Sequence, residues 1–450
     1  MKRKKLTVFI LAMIGLTLAL TACGEPKESS LTAPGSSGTD RTFGSTTEDN
    51  SSESLSETEN LLASQEYVSA DGVYRITLPE GLTQTETAFS PGTFMMELSG
   101  EGERAGFSCI VQASYKESIL GNPEEDIESL EEYADYTTSL FLDGSGITVS
   151  WEDTDAPPAV GVERCIARKG NAQSGLSRGM AYACFAESAD SYLTVFTVAN
   201  TDDVEEVMQV IALEVSDEAA GRSGTVAFFN GMTAVLDSVN GANLREAVKM
   251  LADNGAEEEA IELYASAAKS VLSSSWGIEN AASLADVADL LINEGHNQEA
   301  LELLQRYGGL DAADRDAFAA SLEEQNLDEE TQIYLLAAYD AWAAYGDGAI
   351  AAWDLSRVGT IMSFGYAAGY CTYEEAMDKI LEAAEKAQQL YGSWEDFNRS
   401  YLYGYSYWAE ESLEDPDSSA AERAELVHSM EAQANGPFSV DWNTELKKEW

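Results

Sequence analysis

Asp354 and Arg357 lie three residues apart in a stretch of helical spacing, so carboxylate and guanidinium meet across one turn. An Arg presents a planar fork to carboxylate or phosphate. The pair is therefore either a helix-locking ion pair or, where burial sharpens it, a ligand clamp. Trp353 precedes it directly, and His296 follows Gly295 at a helix boundary, where it reads as a structural hydrogen-bonder. Trp394, Phe397, Tyr401 and Trp408 recur on one side of a further helix. Such a stripe is either core or a wall on which glycan or peptide stacks. Ser393 reads as that helix's N-cap, with Asp396 at the third helical position closing a capping-box-like turn. His428 falls in a polar late helix and reads as solvated.

The sequence holds no GxSxG, HExxH, Walker loop, Rossmann glycine run or Cys/His nucleophile arrangement. Hydrolysis by paired carboxylates needs no such signature. With 79 acidic residues, however, no pair stands out. No catalytic, cofactor-binding or metal-binding residue is assigned. Cys109, Cys165, Cys184 and Cys371 form no CxxC and no Cys/His cluster, which argues against zinc or thioredoxin-like chemistry. Cys165 and Cys184 lie symmetrically about Ser174 and Gly175, as cross-strand neighbours would, and either bridge or remain buried thiols.

The elements that position these residues are helical. Beyond Gly221 the composition turns to Ala, Glu and Leu at helical spacing, predicting an all-α domain over 218–450. The run from Leu251 to Tyr264 echoes the run from Leu291 to Leu304, forty residues on. Each reads as a helix–turn–helix with Gly255 or Gly295 in the turn, as in tetratricopeptide-like repeats. With only two copies visible, convergent helical packing is the preferred reading. Gly365 and Gly369, four apart, read as a close helix approach.

A string of short motifs runs through this domain: Trp276-Gly-Ile278, Gly295-His296, Ala352-Trp-Asp-Leu-Ser-Arg357 and Gly365-Tyr-Ala-Ala-Gly-Tyr370. Glu374-Glu-Ala376, Ser393-Trp-Glu-Asp-Phe397, Tyr401-Leu-Tyr-Gly404 and Tyr407-Trp408 follow. In this order it resembles the bacterial family known as domain of unknown function 1266, over about 265–412. Trp353 stands where that family leads one to expect Phe or another apolar residue, and Tyr405 replaces a commoner polar one. The resemblance implies an all-α fold and no particular reaction.

Residues 65–217 read as an α+β domain. Tyr74, Ile76 and Leu78 alternate at period two, as do Phe94, Met96 and Leu98, and then Phe107, Cys109 and Val111. Further strands are predicted over 161–168, 179–186 and 192–198. A helix is predicted from Pro123 to Phe141, and a second from Thr201, capped by Thr201 itself, through Ile211. The whole is an antiparallel sheet with a few helices. Its element order and its opening run from Gly72 to Gly81 resemble PsbP/Mog1-type domains, which implies binding or scaffolding.

The chain opens with Lys2, Arg3, Lys4 and Lys5, then runs apolar from Leu6 to Leu20. That is a secretion signal, short of the ~20 residues that span a bilayer. Leu20, Thr21, Ala22, Cys23 and Gly24 follow and resemble the lipobox of bacterial lipoproteins. The resemblance implies cleavage after residue 22 and acyl chains of the palmitate kind on Cys23, its lipidation site. Two or three such chains anchor stably at about 0.8 kcal/mol per buried methylene. Residues 23–64, rich in Ser, Thr, Gly and Glu, read as a disordered tether with a reach of roughly 35 Å.

Without the four signal cations, 22 Lys and Arg face 79 Asp and Glu, a net charge near −57. A surface so acidic repels phosphate backbones and anionic headgroups, which excludes nucleic acid as a direct partner. Solubility outside the cell is the plainer meaning of that charge, and loose capture of divalent or basic partners the livelier one. The expected address is the extracytoplasmic face of the cell membrane, contacted through lipid on Cys23. The expected role is binding or scaffolding of an extracytoplasmic protein or cell-wall partner. An envelope hydrolase using carboxylates on cell-wall glycan or peptide is the alternative.

Overall fold

The computed structural model describes residues 63–90, 93–100, 104–116, 127, 129–174, 177–241, 243–448 and 450. The lipobox at residues 20–23 and the expected tether lie outside the described residues.

The chain opens with β1 (Ser64–Val68) and β2 (Tyr74–Pro79), then β3 (Leu82–Ser90), β4 (Thr93–Gly100) and β5 (Ser108–Tyr115). Helix α1 (Leu130–Leu142) leads to β6 (Thr148–Thr154), the short β7 (Ala159–Val160) and a long hairpin of β8 (Arg164–Ser174) and β9 (Ser177–Glu187). Strand β10 (Ser191–Ala199), helix α2 (Thr201–Val210) and β11 (Ala212–Val215) complete the α+β part. There are two sheets rather than one. Seven antiparallel strands run β3-β4-β5-β10-β9-β8-β6, and a smaller sheet runs β1-β2-β11-β7 with β11 and β7 parallel.

Alternate residues of a strand share a face, so the predicted sets sort cleanly. Tyr74, Ile76 and Leu78 of the small sheet meet Met96, Leu98, Cys109 and Val111 of the large one, with Val204 and Val207 of α2 in the same core. Helix α1 covers the opposite face through Leu130, Tyr133 and Ala134 against Phe185, Tyr192 and Phe196.

Two local expectations are corrected. Asn200, not Thr201, caps α2: its side chain accepts from the Asp203 amide at 3.0 Å, while Thr201 is already helical. The β8–β9 ladder pairs Cys165 with Ala186 and Ala167 with Cys184, one residue off the predicted centre. The two cysteines are diagonal neighbours, and Cys109, Cys165, Cys184 and Cys371 are all free thiols.

From Glu218 onward the fold is all helical. Helices α3 (Glu218–Gly221), α4 (Gly224–Asn240), α5 (Leu244–Asp253), α6 (Glu258–Trp276), α7 (Ala281–Asn293) and α8 (Gly295–Tyr307) come first. Then follow α9 (Arg315–Glu324), α10 (Glu329–Tyr345), α11 (Ala351–Ala367), α12 (Tyr373–Leu390), α13 (Trp394–Ala409) and α14 (Ser419–Glu431). Both echoed runs are helix hairpins, α5–α6 and α7–α8, with Gly255 in the first turn and Gly295 opening α8, both at positive φ.

Helix α11 is the axis of this half. All its residues except Phe364 and Tyr366 are buried, against α4, α5, α6, α7, α8, α12 and α13. A helix buried all round takes the centre of a bundle, and small residues let its neighbours close in. A Cβ on Gly365 would lie 2.3 Å from Leu284 of α7, and one on Gly404 of α13 would lie 2.4 Å from Trp353. Gly369 has a different task from the one its spacing suggests. At φ +72° it ends α11, with the Tyr370 amide returning to the Gly365 carbonyl at 2.8 Å.

The two halves share a seam. Met250 of α5 joins the sheet core. Asn254, in the α5–α6 turn, accepts from the Val68 amide at 2.8 Å and donates to the Val68 carbonyl at 3.0 Å, as a neighbouring strand would. Tyr264 brackets Thr87 in the same manner, donating to its carbonyl at 2.8 Å.

Candidate functional site

The first three residues of α8 sit directly on α11. The free amides at a helix start need acceptors, and α8 has none on its own N-cap residue, Glu294. Asp354 supplies one from 57 residues away: its Oδ2 accepts from the Asn297 amide at 3.1 Å. A carboxylate at this end also opposes the positive pole of the helix dipole. Asn297 completes the join, accepting from the Ile350 amide at 2.9 Å and donating to the Asp347 carbonyl at 2.9 Å.

Gly295 is what lets the two helices meet. It has φ +58°, and a Cβ there would fall 2.3 Å from Asp354 Oδ2. The other Asp354 oxygen pairs with Arg357 and lies 3.1 Å from His296 Nδ1. Arg357 Nη2 stands 2.7 Å from that same nitrogen. One nitrogen cannot serve both neighbours. A bare Nδ1 accepts from Arg357, whereas an Nδ1–H donates to Asp354, so the tautomer decides which bond forms.

Burial is steep across this cluster: Asp354 is 1 % exposed and Arg357 6 %, while the His296 side chain is 31 % exposed. The guanidinium lies over Trp353 at 4.7 Å and Trp276 at 5.4 Å. Trp353 in turn packs against Tyr401, Tyr405 and Trp408 with centroids 5.3 to 5.8 Å apart. Arg423 closes the far side, donating to the Tyr401 hydroxyl at 2.9 Å and covering the Tyr405 ring at 4.0 Å. Burial pushes the Tyr401 hydroxyl up to about 12.

The structure thus gathers Trp353, Asp354, Arg357, His296, Tyr401 and Trp408. Trp394 does not join them. It packs on Phe228, Phe397 and Trp442 and donates to the Val440 carbonyl at 2.8 Å. The stripe on α13 is therefore core along most of its length, divided between two neighbourhoods, with Trp408 half out. Ser393 caps the helix as read, accepting from the Asp396 amide at 3.1 Å, but the box does not close: the Asp396 carboxylate accepts from the Ser393 hydroxyl at 3.1 Å instead of from its amide. His428 is exposed.

A second charged cluster escapes the sequence reading. Arg245, fully buried, donates to Glu246 at 2.7 and 2.9 Å and to Asn230. Beside it Asp237 accepts from Thr233 at 2.6 Å and Asn243 at 3.0 Å, and burial pushes its carboxyl up to about 7. The only signal for it in the sequence is a lone carboxylate four residues after Thr233 in an otherwise uncharged helix. Among the described residues, no group of three or more His, Cys, Asp or Glu could hold a metal ion.

Residues 271–443 match the family described as Protein of unknown function (DUF1266). The match starts within α6 and ends beyond α14, further along than the string of motifs reaches. Trp276, Gly295, His296, Asp354 and Arg357 all fall inside the DUF1266 segment, whereas Asp237, Arg245 and Glu246 fall outside it. Of the motifs in that segment, Trp276, Gly295-His296 and the run from Trp353 to Arg357 meet at the junction of α8 and α11. No curated protein and no solved structure matches the chain.

Proposed function

We propose that this is a lipid-anchored binding or scaffold protein on the extracytoplasmic face of a bacterial cell membrane. One observation carries the reading. Asp354 and Arg357, the pair best suited to clamp a ligand or act on one, are occupied in joining α8 to α11 and are almost wholly buried. Their geometry serves the shape of the helical half. The Asp354 carboxylate is already engaged in that joint, so it is not available to act on a substrate.

The address rests on the sequence: four cations, an apolar run and a lipobox ending at Cys23. Among the described residues, no helix is long and apolar enough to cross a membrane, which leaves the lipid as the proposed contact. The likeness of the α+β part to PsbP/Mog1-type domains is part of the same proposal and favours binding.

Two measurements test it. Cys23→Ser is expected to move the protein from the membrane fraction to the soluble one, and a variant still membrane-bound after signal cleavage would refute the anchor. The released protein is expected to co-sediment with purified cell-wall sacculi or envelope vesicles. If neither retains it, the binding reading fails.

A further inference from the structure

Helix α5 is held from two sides. At its start Asn243, the N-cap, accepts from the Glu246 amide at 3.2 Å and donates to Asp237 Oδ2 of α4 at 3.0 Å. Arg245 reaches Asn230 on the same helix. Further along, α5 grips the sheets: Met250 enters their core and Asn254, just past its end, pairs with β1. The helix that closes the seam is therefore seated on the Asp237 cluster.

That seat carries an uneven charge. Asp237, Arg245 and Glu246 are each at most 4 % exposed, and they set two carboxyl groups against one guanidinium. Arg245 directs Nε and Nη2 at Glu246, at 2.9 and 2.7 Å. Asp237 is bonded instead by the neutral Thr233 and Asn243. A carboxylate held out of water without a counter-charge is costly, and such a group keeps its proton.

Burial accordingly pushes the Asp237 carboxyl up to about 7, with Glu246 adding to the rise; Thr233, Arg245 and Asn243 pull the other way. Across the seam, partly buried Asp71 in the β1–β2 turn is also pushed up, by burial first and then by Glu246, against its bonds from Ser69 and the Val73 amide. The other titratable groups near Glu246 are Tyr373 of α12 and Tyr366 of α11, both raised by burial and so neutral phenols throughout this range. When Asp237 ionises, water has to reach it, and the closed joint of α4 with α5 stands in the way.

We propose that the seam between the two halves is a pH-operated latch, closed in mildly acid surroundings and loosened towards alkaline ones as the Asp237 cluster beneath α5 gives up a proton. This goes beyond the binding reading and does not rest on it. The sign follows from linkage: a group that holds its proton more tightly in the closed form favours that form at low pH, and the preference is lost as pH rises through about 7.

The Val68 and Thr87 amides report on the seam directly, because each donates across it, to Asn254 Oδ1 at 2.8 Å and to the Tyr264 hydroxyl at 3.2 Å. The test is hydrogen exchange of the full chain read at these two amides and corrected for the intrinsic rate. Protection is expected to fall on the order of tenfold between about pH 5.5 and about pH 8.5. Asp237→Asn should abolish the fall. Thr233→Val removes a bond that favours the ionised carboxylate, so it should move the midpoint to higher pH, and it serves if Asp237→Asn does not fold. Unchanged protection across the range would overturn the proposal, as would the same fall in Asp237→Asn or an unmoved midpoint in Thr233→Val. So would seam amides as well protected as the Val195 amide of β10 at both ends of the range, since the seam would then open only when the whole chain unfolds.

Discussion

Asp354 holds a carboxylate almost entirely out of water, and Arg357, the Asn297 amide and His296 are what make that tolerable. Removing one partner of such a pair strands the other charge, at a cost of about 3–5 kcal/mol. Asp354→Asn is expected to lower the unfolding free energy by about that amount in urea titration. Adding Arg357→Met should recover part of the loss, since it removes the stranded charge; strict additivity of the two would show that they do not act as a pair. Asp237 sets a different dependence. Its carboxyl ionises near 3.8 when unfolded and is pushed up to about 7 in the fold. The folded state therefore carries the extra proton between about pH 4 and pH 7. This contribution to stability is full below the lower value and is lost as pH rises through the upper one. Asp237→Asn keeps an acceptor for Thr233 and Asn243, so it should flatten that downward slope and melt above the parent at pH 8. An unchanged slope would mean that another group carries it.

At the scale of elements, the two hairpin turns offer a matched comparison. Gly255 and Gly295 both have positive φ, but a Cβ on Gly255 meets nothing within 4 Å, whereas one on Gly295 meets Asp354. Gly255→Ala should cost only the strain of its left-handed backbone, about 1 kcal/mol, and Gly295→Ala about 2 kcal/mol or more. Equal losses would mean that α8 does not rest on Asp354 as described. The repeat, its glycines and the Ser393 cap were legible because each is written within a few residues. What each turn docks against was not, since Val68 lies far upstream of Asn254 and Asp354 far downstream of Asn297. The α13 stripe shows the same boundary: helical spacing predicts the buried face, but not that Trp394 and Tyr401 answer to different neighbours. Asn200 and Thr201 are both good capping types, so only the backbone decides between them.

On the scale of the whole molecule, charge and packing pull against each other. A chain with 79 acidic residues against 26 basic ones repels itself when compact. Salt shortens the range of that repulsion from roughly 30 Å at 10 mM to roughly 3 Å at 1 M. The melting temperature is therefore expected to rise by a few degrees over that interval; a fall would show that attraction between surface ion pairs outweighs the repulsion. The seam built by Met250, Asn254 and Tyr264 ties the two halves together, so Asn254→Ala should broaden or split a single melting transition. The burial of α11 also has a consequence in time. Helices α4 to α7 precede it in the chain and contribute their buried apolar residues to the core around it. At about 5–20 residues per second of synthesis, Phe228 is made on the order of ten seconds before Leu355 and Ile361. The sheath comes off the ribosome ahead of its axis, so the core around α11 closes only after that helix has emerged.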